Sequence, residues 1–243
     1  QNIPIAIVGG GFTGLSTAAW LRRFAPEKSV AVFESRSIGD GSSGRSGAVV
    51  LAETAAGDLA GLGDVLSGFS EIAKDLALDC DLMLPGAWEL GREGALADSP
   101  ISWTDSGNLR AIKLVPGGTL EPGKLVSELA RAAENAGTQI FENAEVENVV
   151  FEEPHVLTVG GRIIRAQGIL FATNAMALEM TGLEGRAEPL FTLATVTKSL
   201  TEQQLDALGL GSAQPFYTVD LPYLWGRLMP GNGVLFGGGL VQV

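Results

Sequence analysis

The feature that most restricts what this chain can fold into is Gly9-x-Gly11-x-x-Gly14, set between an apolar run and an Ala/Leu-rich stretch. Ile3-Pro4-Ile5-Ala6-Ile7-Val8 has the unbroken apolar character of a strand buried on both faces. Thr13 to Phe24 predicts a helix, stopped by Pro26. Val30-Ala31-Val32-Phe33 predicts a second buried strand that ends at Glu34. Strand, helix and strand within about 30 residues make a βαβ unit with a right-handed crossover. In such a unit Gly9 permits the tight turn, Gly11 lets backbone approach a pyrophosphate, and Gly14 allows close helix–strand packing. The N–H groups and dipole of the helix N-terminus attract the pyrophosphate. Glu34, at the end of the second strand, is placed to accept hydrogen bonds from ribose hydroxyls. That acid argues against a 2′-phosphate and hence against NADP, and it leaves NAD and FAD open.

Composition narrows the remaining classes. The chain has 16 Lys+Arg against 28 Asp+Glu, a net charge of 16 − 28 = −12. An acidic surface repels phosphate backbones and anionic lipids, which argues against nucleic acid or a membrane surface as partner. With 46% apolar and 18% charged residues, the chain can bury a large core. A single cysteine, Cys80, and a single histidine, His155, exclude an internal disulfide and a Cys/His metal cluster. Ile3 to Leu21 carries no charge, but its glycines, serine and threonines make a poor membrane span, and it has no basic n-region. A cytoplasmic protein is the expectation, with upstream residues missing because the sequence opens at Gln1 rather than Met.

Further along, residues 38–47 form a polar glycine loop, and Leu59 to Leu78 has helical spacing interrupted by Gly61, Gly63 and Gly68. Leu82 to Val115 gives no assignable pattern. Lys124 to Asn135 predicts a helix with Leu125, Leu129, Ala132, Ala133 and Ala136 on one face and Gly137 as its stop. Gln139 to Ala166 predicts a β-meander with turns at 152–154 and 160–161, followed by a separate strand at Ile169–Ala172. Thr192 to Leu200 predicts a strand, Thr201-Glu202-Gln203-Gln204 a capping box, and Tyr223–Met229 with Val234–Phe236 a hairpin.

The ordered segments IAIVGGGFTGLSTAAWL, VAVFES, GDGSSGRSGAVV, GGTLEPGKLVSELARAAENAG, AEVENV and ILFATNA, with weaker echoes in LPYLWGR and LFGGG, carry a family likeness. The sequence resembles the FAD-dependent oxidoreductases of the D-amino-acid-oxidase superfamily, in the branch of glycine oxidase, sarcosine oxidase and γ-glutamylputrescine oxidase. The resemblance implies an α/β fold: a Rossmann-like FAD-binding domain of glutathione-reductase type with a β-meander, plus a mainly antiparallel substrate domain. It implies domains at 1–81 with 118–185 for FAD, and at 82–117 with 186–243 for substrate. Phe12 and Thr13 would offer backbone to the pyrophosphate, and Glu34 and Ser35 would meet the adenosine ribose. Ser42 and Ser43 would touch the phosphate and ribityl region, and Arg45, Ser46, Gly47, Ala48 and Val49 would run beside the flavin ring. Val146 would bond adenine through its main chain, and the Thr173-Asn174 turn would close over the cofactor. Some relatives attach flavin covalently through His or Cys; neither His155 nor Cys80 stands at a matching place, so noncovalent FAD is implied.

Arg227, which ends Tyr-Leu-Trp-Gly-Arg, is the substrate candidate by resemblance. A planar guanidinium suits bidentate binding of a carboxylate, and a solvent-facing strand arginine is the alternative. Tyr223 and Trp225 would line the same pocket, or serve simply as core. His155 reads as a surface residue and Cys80 as a small buried one. The implied activity is oxidation of the C–N bond of a small amine or amino acid, with hydride passing to flavin N5 and the imine then hydrolysed. No general base is required if the amine binds neutral. The alternatives are a non-catalytic dinucleotide-binding protein and an NAD-linked dehydrogenase; the latter gives the serine–glycine–arginine loop no role. Relatives continue well beyond LFGGG, so a further C-terminal part is expected, and an unpaired sheet edge is expected where the chain stops.

Overall fold

A computed structural model describes residues 2–52, 61, 63–94, 96–104, 108–212, 214–219 and 223–242. The elements are β1 (Asn2–Val8), α1 (Phe12–Phe24), β2 (Val30–Phe33), β3 (Val49–Leu51), α2 (Val65–Asp75), β4 (Ala87–Gly91) and β5 (Ser102–Trp103). They continue as β6 (Leu109–Val115), β7 (Gly117–Thr119), α3 (Pro122–Asn135), β8 (Gln139–Phe141), β9 (Val146–Val150), β10 (His155–Val159) and β11 (Arg162–Phe171). A 3-10 turn (Asn174–Ala177) follows, then β12 (Leu190–Val196), α4 (Glu202–Leu208), β13 (Phe216–Thr218), β14 (Leu224–Leu228) and β15 (Val234–Gln242). The chain divides into two compact units. The first comprises Gln1–Ser46, Ala73–Cys80 and Pro122–Pro189; the second, Gly47–Ile72, Asp81–Glu121 and Leu190–Val243.

The first unit is built on a six-stranded sheet in the order β8-β2-β1-β11-β10-β9. Its first four strands run parallel and the last two antiparallel. Strands covered on both faces need apolar residues at every position, which is what β1 and β2 supply. Ile7, Val30 and Val32 pack with Ala18 and Ala19 of α1 and Ala133 of α3. Ala6, Val8, Ala31 and Phe33 pack on the other side with Val146, Leu157 and Ile164 of the meander. Fully burying each Val, Ile or Phe side chain contributes roughly 1.5–3 kcal/mol, so this two-sided packing fixes the central strands and the turn between β1 and α1.

Several expectations are corrected at element level. The last meander strand and the Ile169–Ala172 strand are one continuous strand, β11, whose first half pairs with β10 and whose second half pairs with β1. The α3 helix begins at Pro122, since proline is pre-organised for the first helical position. Helix α2 covers Val65–Asp75 only; part of the expected Leu59–Leu78 helix lies outside the described residues. The strand expected at Thr192–Leu200 runs instead from Leu190 to Val196.

The second unit holds a seven-stranded sheet in the order β12-β15-β14-β13-β4-β6-β5, antiparallel apart from the β13–β4 pair, and a separate β3–β7 ladder. Leu90, Ala111, Phe216 and Val234 pack on one face with Ile101 and with Leu205 of α4. Residues 82–115, unassigned from sequence, supply β4, β5 and β6. The last strand, β15, lies between β12 and β14, so it is not a bare edge; the edge strands are β5 and β12, the latter exposed at all seven positions. Among the described residues no helix is long and apolar enough to cross a membrane, and no His/Cys/Asp/Glu group could hold a metal.

Candidate nucleotide and substrate sites

The glycine turn sits at the C-terminal end of β1, in the centre of the parallel strands. The Gly9 N–H donates to the Phe33 carbonyl at 2.8 Å, and Gly9 has φ +110°, a conformation that disfavours any side chain. A Cβ on Gly9 would stand 2.5 Å from the Ala172 carbonyl oxygen, and one on Gly14 would run into the Gly9 carbonyl. The first turn of α1 is thus pressed directly on the strand end. Gly11, at the N-cap, supplies no capping side chain. A Cβ there would lie 2.7 Å from Ser43 Oγ.

Glu34 accepts the Gly10 N–H on Oε2 at 2.8 Å, and on Oε1 it accepts the Arg36 N–H at 3.0 Å and the Ser35 hydroxyl at 3.1 Å. A carboxylate offers about four lone-pair sites, so one remains for a ribose hydroxyl. Ser43 accepts the Phe12 N–H at 3.0 Å, so within the protein the Phe12 donor is taken rather than offered outward. Thr13 and Gly14 follow as the next helical donors, with no capping side chain from Gly11. Asn174, at φ 53°, donates from Nδ2 to Ser42 Oγ at 3.2 Å, which joins the Thr173-Asn174 turn to the serine loop. Arg45 pairs with Asp40 at 2.8 Å, and Arg36 reaches the same carboxylate at 3.2 Å. Val146 is buried at the start of β9. A turn stripped of side chains, in front of a helix start and beside a carboxylate, fits the pyrophosphate and ribose of a dinucleotide.

A shallow cleft of about 280 Å³, lined by residues including Asn2, Pro154 and Arg165, lies at the opposite end of β1. Open parallel sheets bind nucleotides at the carboxyl ends of their strands, so this cleft is not the nucleotide site.

In the second unit, Arg227 on β14 is only 5% exposed, which overturns the solvent-facing alternative. Its Nη2 donates to Glu121 Oε1 at 2.9 Å, while its Nε is buried without a hydrogen-bond partner. Trp225 and Arg227 share one face of the sheet, since Gly226 between them points into the core against Phe216. Tyr217, opposite Trp225, belongs to the same face and donates its hydroxyl to Glu89 at 3.0 Å. Gly47 lies against the Trp225 indole. Ala48, at φ 59°, is buried and its carbonyl accepts the Leu120 N–H, and Val49 opens β3 opposite Thr119. Tyr223 is 43% exposed, just before β14. Glu121 and Asp40 were missed from sequence; Glu121 lies 106 positions from Arg227, and nothing local marks it. Cys80 is buried at 1% exposure, and His155 is half-buried on β10.

A doubly covered parallel sheet with this turn, plus a mainly antiparallel unit, defines the class of two-unit proteins with a dinucleotide-type fold. The model of the FAD dependent oxidoreductase (DAO) family matches residues 4–242, and the chain belongs to that family. Gamma-glutamylputrescine oxidoreductase of Escherichia coli is 25% identical over 98% of this chain, and the chain spans 64% of that relative's length. Glycine oxidase from Geobacillus kaustophilus shares the fold with a TM-score of 0.71 at 18% identity, over 100% of this chain and 72% of that one. L-proline dehydrogenase from P. horikoshii shares it with a TM-score of 0.74 at 18% identity, over 99% and 71%.

Proposed function

We propose that this chain oxidises the C–N bond of a small amine or amino acid with noncovalently held FAD. The observation that carries the substrate class is Arg227, a buried guanidinium with one hydrogen bond to Glu121 and an unused Nε. A buried donor without a partner costs about 1–3 kcal/mol, and a substrate carboxylate would relieve that cost. Glu121 holds the guanidinium plane, so less freedom is lost when the carboxylate binds.

Thr13 and Gly14 would hold the pyrophosphate, Glu34 and Ser35 the ribose, and Val146 the adenine through its main chain. Ser42, Ser43 and the Thr173-Asn174 turn would bracket the phosphate and ribityl region, and Arg45 to Val49 would lie along the flavin. Bound FAD supplies the two-electron acceptor for C–N oxidation. Arg227 orients the carboxylate, and Tyr223 and Trp225 bound the pocket. The imine product takes up water and separates into a carbonyl compound and an amine.

The test is an amine and amino-acid screen on FAD-loaded protein, reading flavin bleaching and peroxide together. A substrate that bleaches the flavin supports the proposal, and peroxide distinguishes oxidase from dehydrogenase. Arg227→Lys should raise KM for a carboxylate substrate by about tenfold or more, equivalent to about 1.4 kcal/mol, with FAD content unchanged. Equal loss of both would make Arg227 a structural ion-pair partner only. A protein that retains FAD but that no amine bleaches would leave the non-catalytic reading.

A further inference from the structure

We infer that Trp225 is a positioning residue: its indole fixes the backbone at Gly47, and through it the flavin-side segment, against the sheet face that carries Arg227. The inference rests on the proposed placement of Arg45 to Val49 beside the flavin, and it adds a residue to which no role in holding FAD has been given.

Two glycines far apart in sequence are emptied for the same ring. A Cβ on Gly47 would lie 2.5 Å from Trp225 Cη2 and 2.7 Å from Cε3, and a Cβ on Gly237 would meet Cζ2, Cε2 and Cη2 of the same indole still more closely. Gly237 sits on β15 directly opposite Trp225, so it is the floor under the ring. Neither glycine has a positive φ. Their requirement is therefore space for the indole and not backbone conformation. A ring packed against bare backbone on one strand, β15, and on the loop that leads into β3 is a rigid spacer, because interiors at this density do not yield without displacing a neighbour. Gly47 leads into Ala48, whose carbonyl accepts the Leu120 N–H, and into β3, which pairs with β7. Glu121, the partner of Arg227, follows Leu120 by one residue. The indole thus stands between the Gly47 backbone and Gly237, on the strand that carries Arg227.

Gly237 gives a remote lever. It belongs to none of the segments placed against FAD, and the first atoms the new methyl of Gly237→Ala would strike are those of the indole. In the full chain titrated with FAD, Gly237→Ala should weaken binding by about tenfold or more and shift the visible flavin band. Trp225→Leu/Gly237→Ala, which removes the ring edge the new methyl strikes, should recover most of that affinity. If Gly237→Ala does not fold, Trp225→Phe replaces it: the flavin band should move while the melting temperature stays near wild type. A Gly237→Ala or Trp225→Phe protein with wild-type FAD affinity and band, or a double variant no better than Gly237→Ala, would overturn the inference. Wild-type protein that takes up no FAD would instead overturn the proposed function.

Discussion

At the residue scale, Gly14 shows how geometry reverses an ordinary preference. Glycine inside a helix is usually worse than alanine by about 0.5–1 kcal/mol, so Gly14→Ala would stabilise an unconstrained helix. Here the methyl would strike the Gly9 carbonyl, behind which the strand end is held by Phe33. Overpacking of this kind costs roughly 1–3 kcal/mol, and the backbone cannot retreat. Gly14→Ala should therefore lower the denaturant midpoint and abolish FAD uptake together. Unchanged stability by chemical denaturation would show that the turn has slack. The roles of Gly9, Gly11 and Gly14 are legible from sequence because the three act within one local turn. The Arg227–Glu121 pair and the Trp225 sandwich are not, because each joins side chains that only the folded sheet brings together.

The elements divide along the same line. Helix α4 is declared by its own first residues: Thr201 Oγ1 accepts the Gln204 N–H at 3.2 Å, and Gln204 Oε1 accepts the Thr201 N–H at 2.9 Å. That reciprocal cap is what Thr-x-x-Gln predicts. Thr201→Ala should cost about 1 kcal/mol, and thermal melting against wild type measures it; no shift would mean that Leu205 packing alone holds the helix. Strand β6 is the opposite case. Leu109-Arg110-Ala111-Ile112-Lys113-Leu114-Val115 alternates only in its first half, then exposes Lys113 and Leu114. Strand β4 is five residues long and takes a parallel partner, β13, from more than a hundred positions away. A pairing that distant is announced by no tight turn between the two segments. Strand β11 reads as two in the sequence because its partner changes midway, while its backbone does not break.

For the molecule as a whole, acidity is the variable that the charge balance makes most informative. The net charge of −12 and a pI of about 4.5 mean that acidification removes the self-repulsion that keeps the chain dispersed. It also titrates one latch in the first unit. Glu128 on α3 accepts from Arg131 Nε at 3.1 Å and from the Asp79 N–H at 3.3 Å, while Arg131 also bonds the Ala77 carbonyl at 2.6 Å, so the pair ties the helix to the 77–79 segment. The Arg131 hydrogen bond, and after it the Asp79 N–H, hold the Glu128 carboxyl below the usual carboxylate range. A carboxyl lowered on folding stabilises the native state fully above its unfolded value, and that contribution fades as pH falls through the folded value. Arg131 stays charged throughout, so the sign is set by Glu128 alone. Because the pair is exposed, solvent screening keeps the effect small. Glu128→Gln should melt below wild type at neutral pH, and the two curves should converge as pH is lowered through the carboxylate range. Melting at dilute concentration across that range decides the matter: a gap that persists at the acid end would assign the difference to lost packing at α3 instead of to the charge.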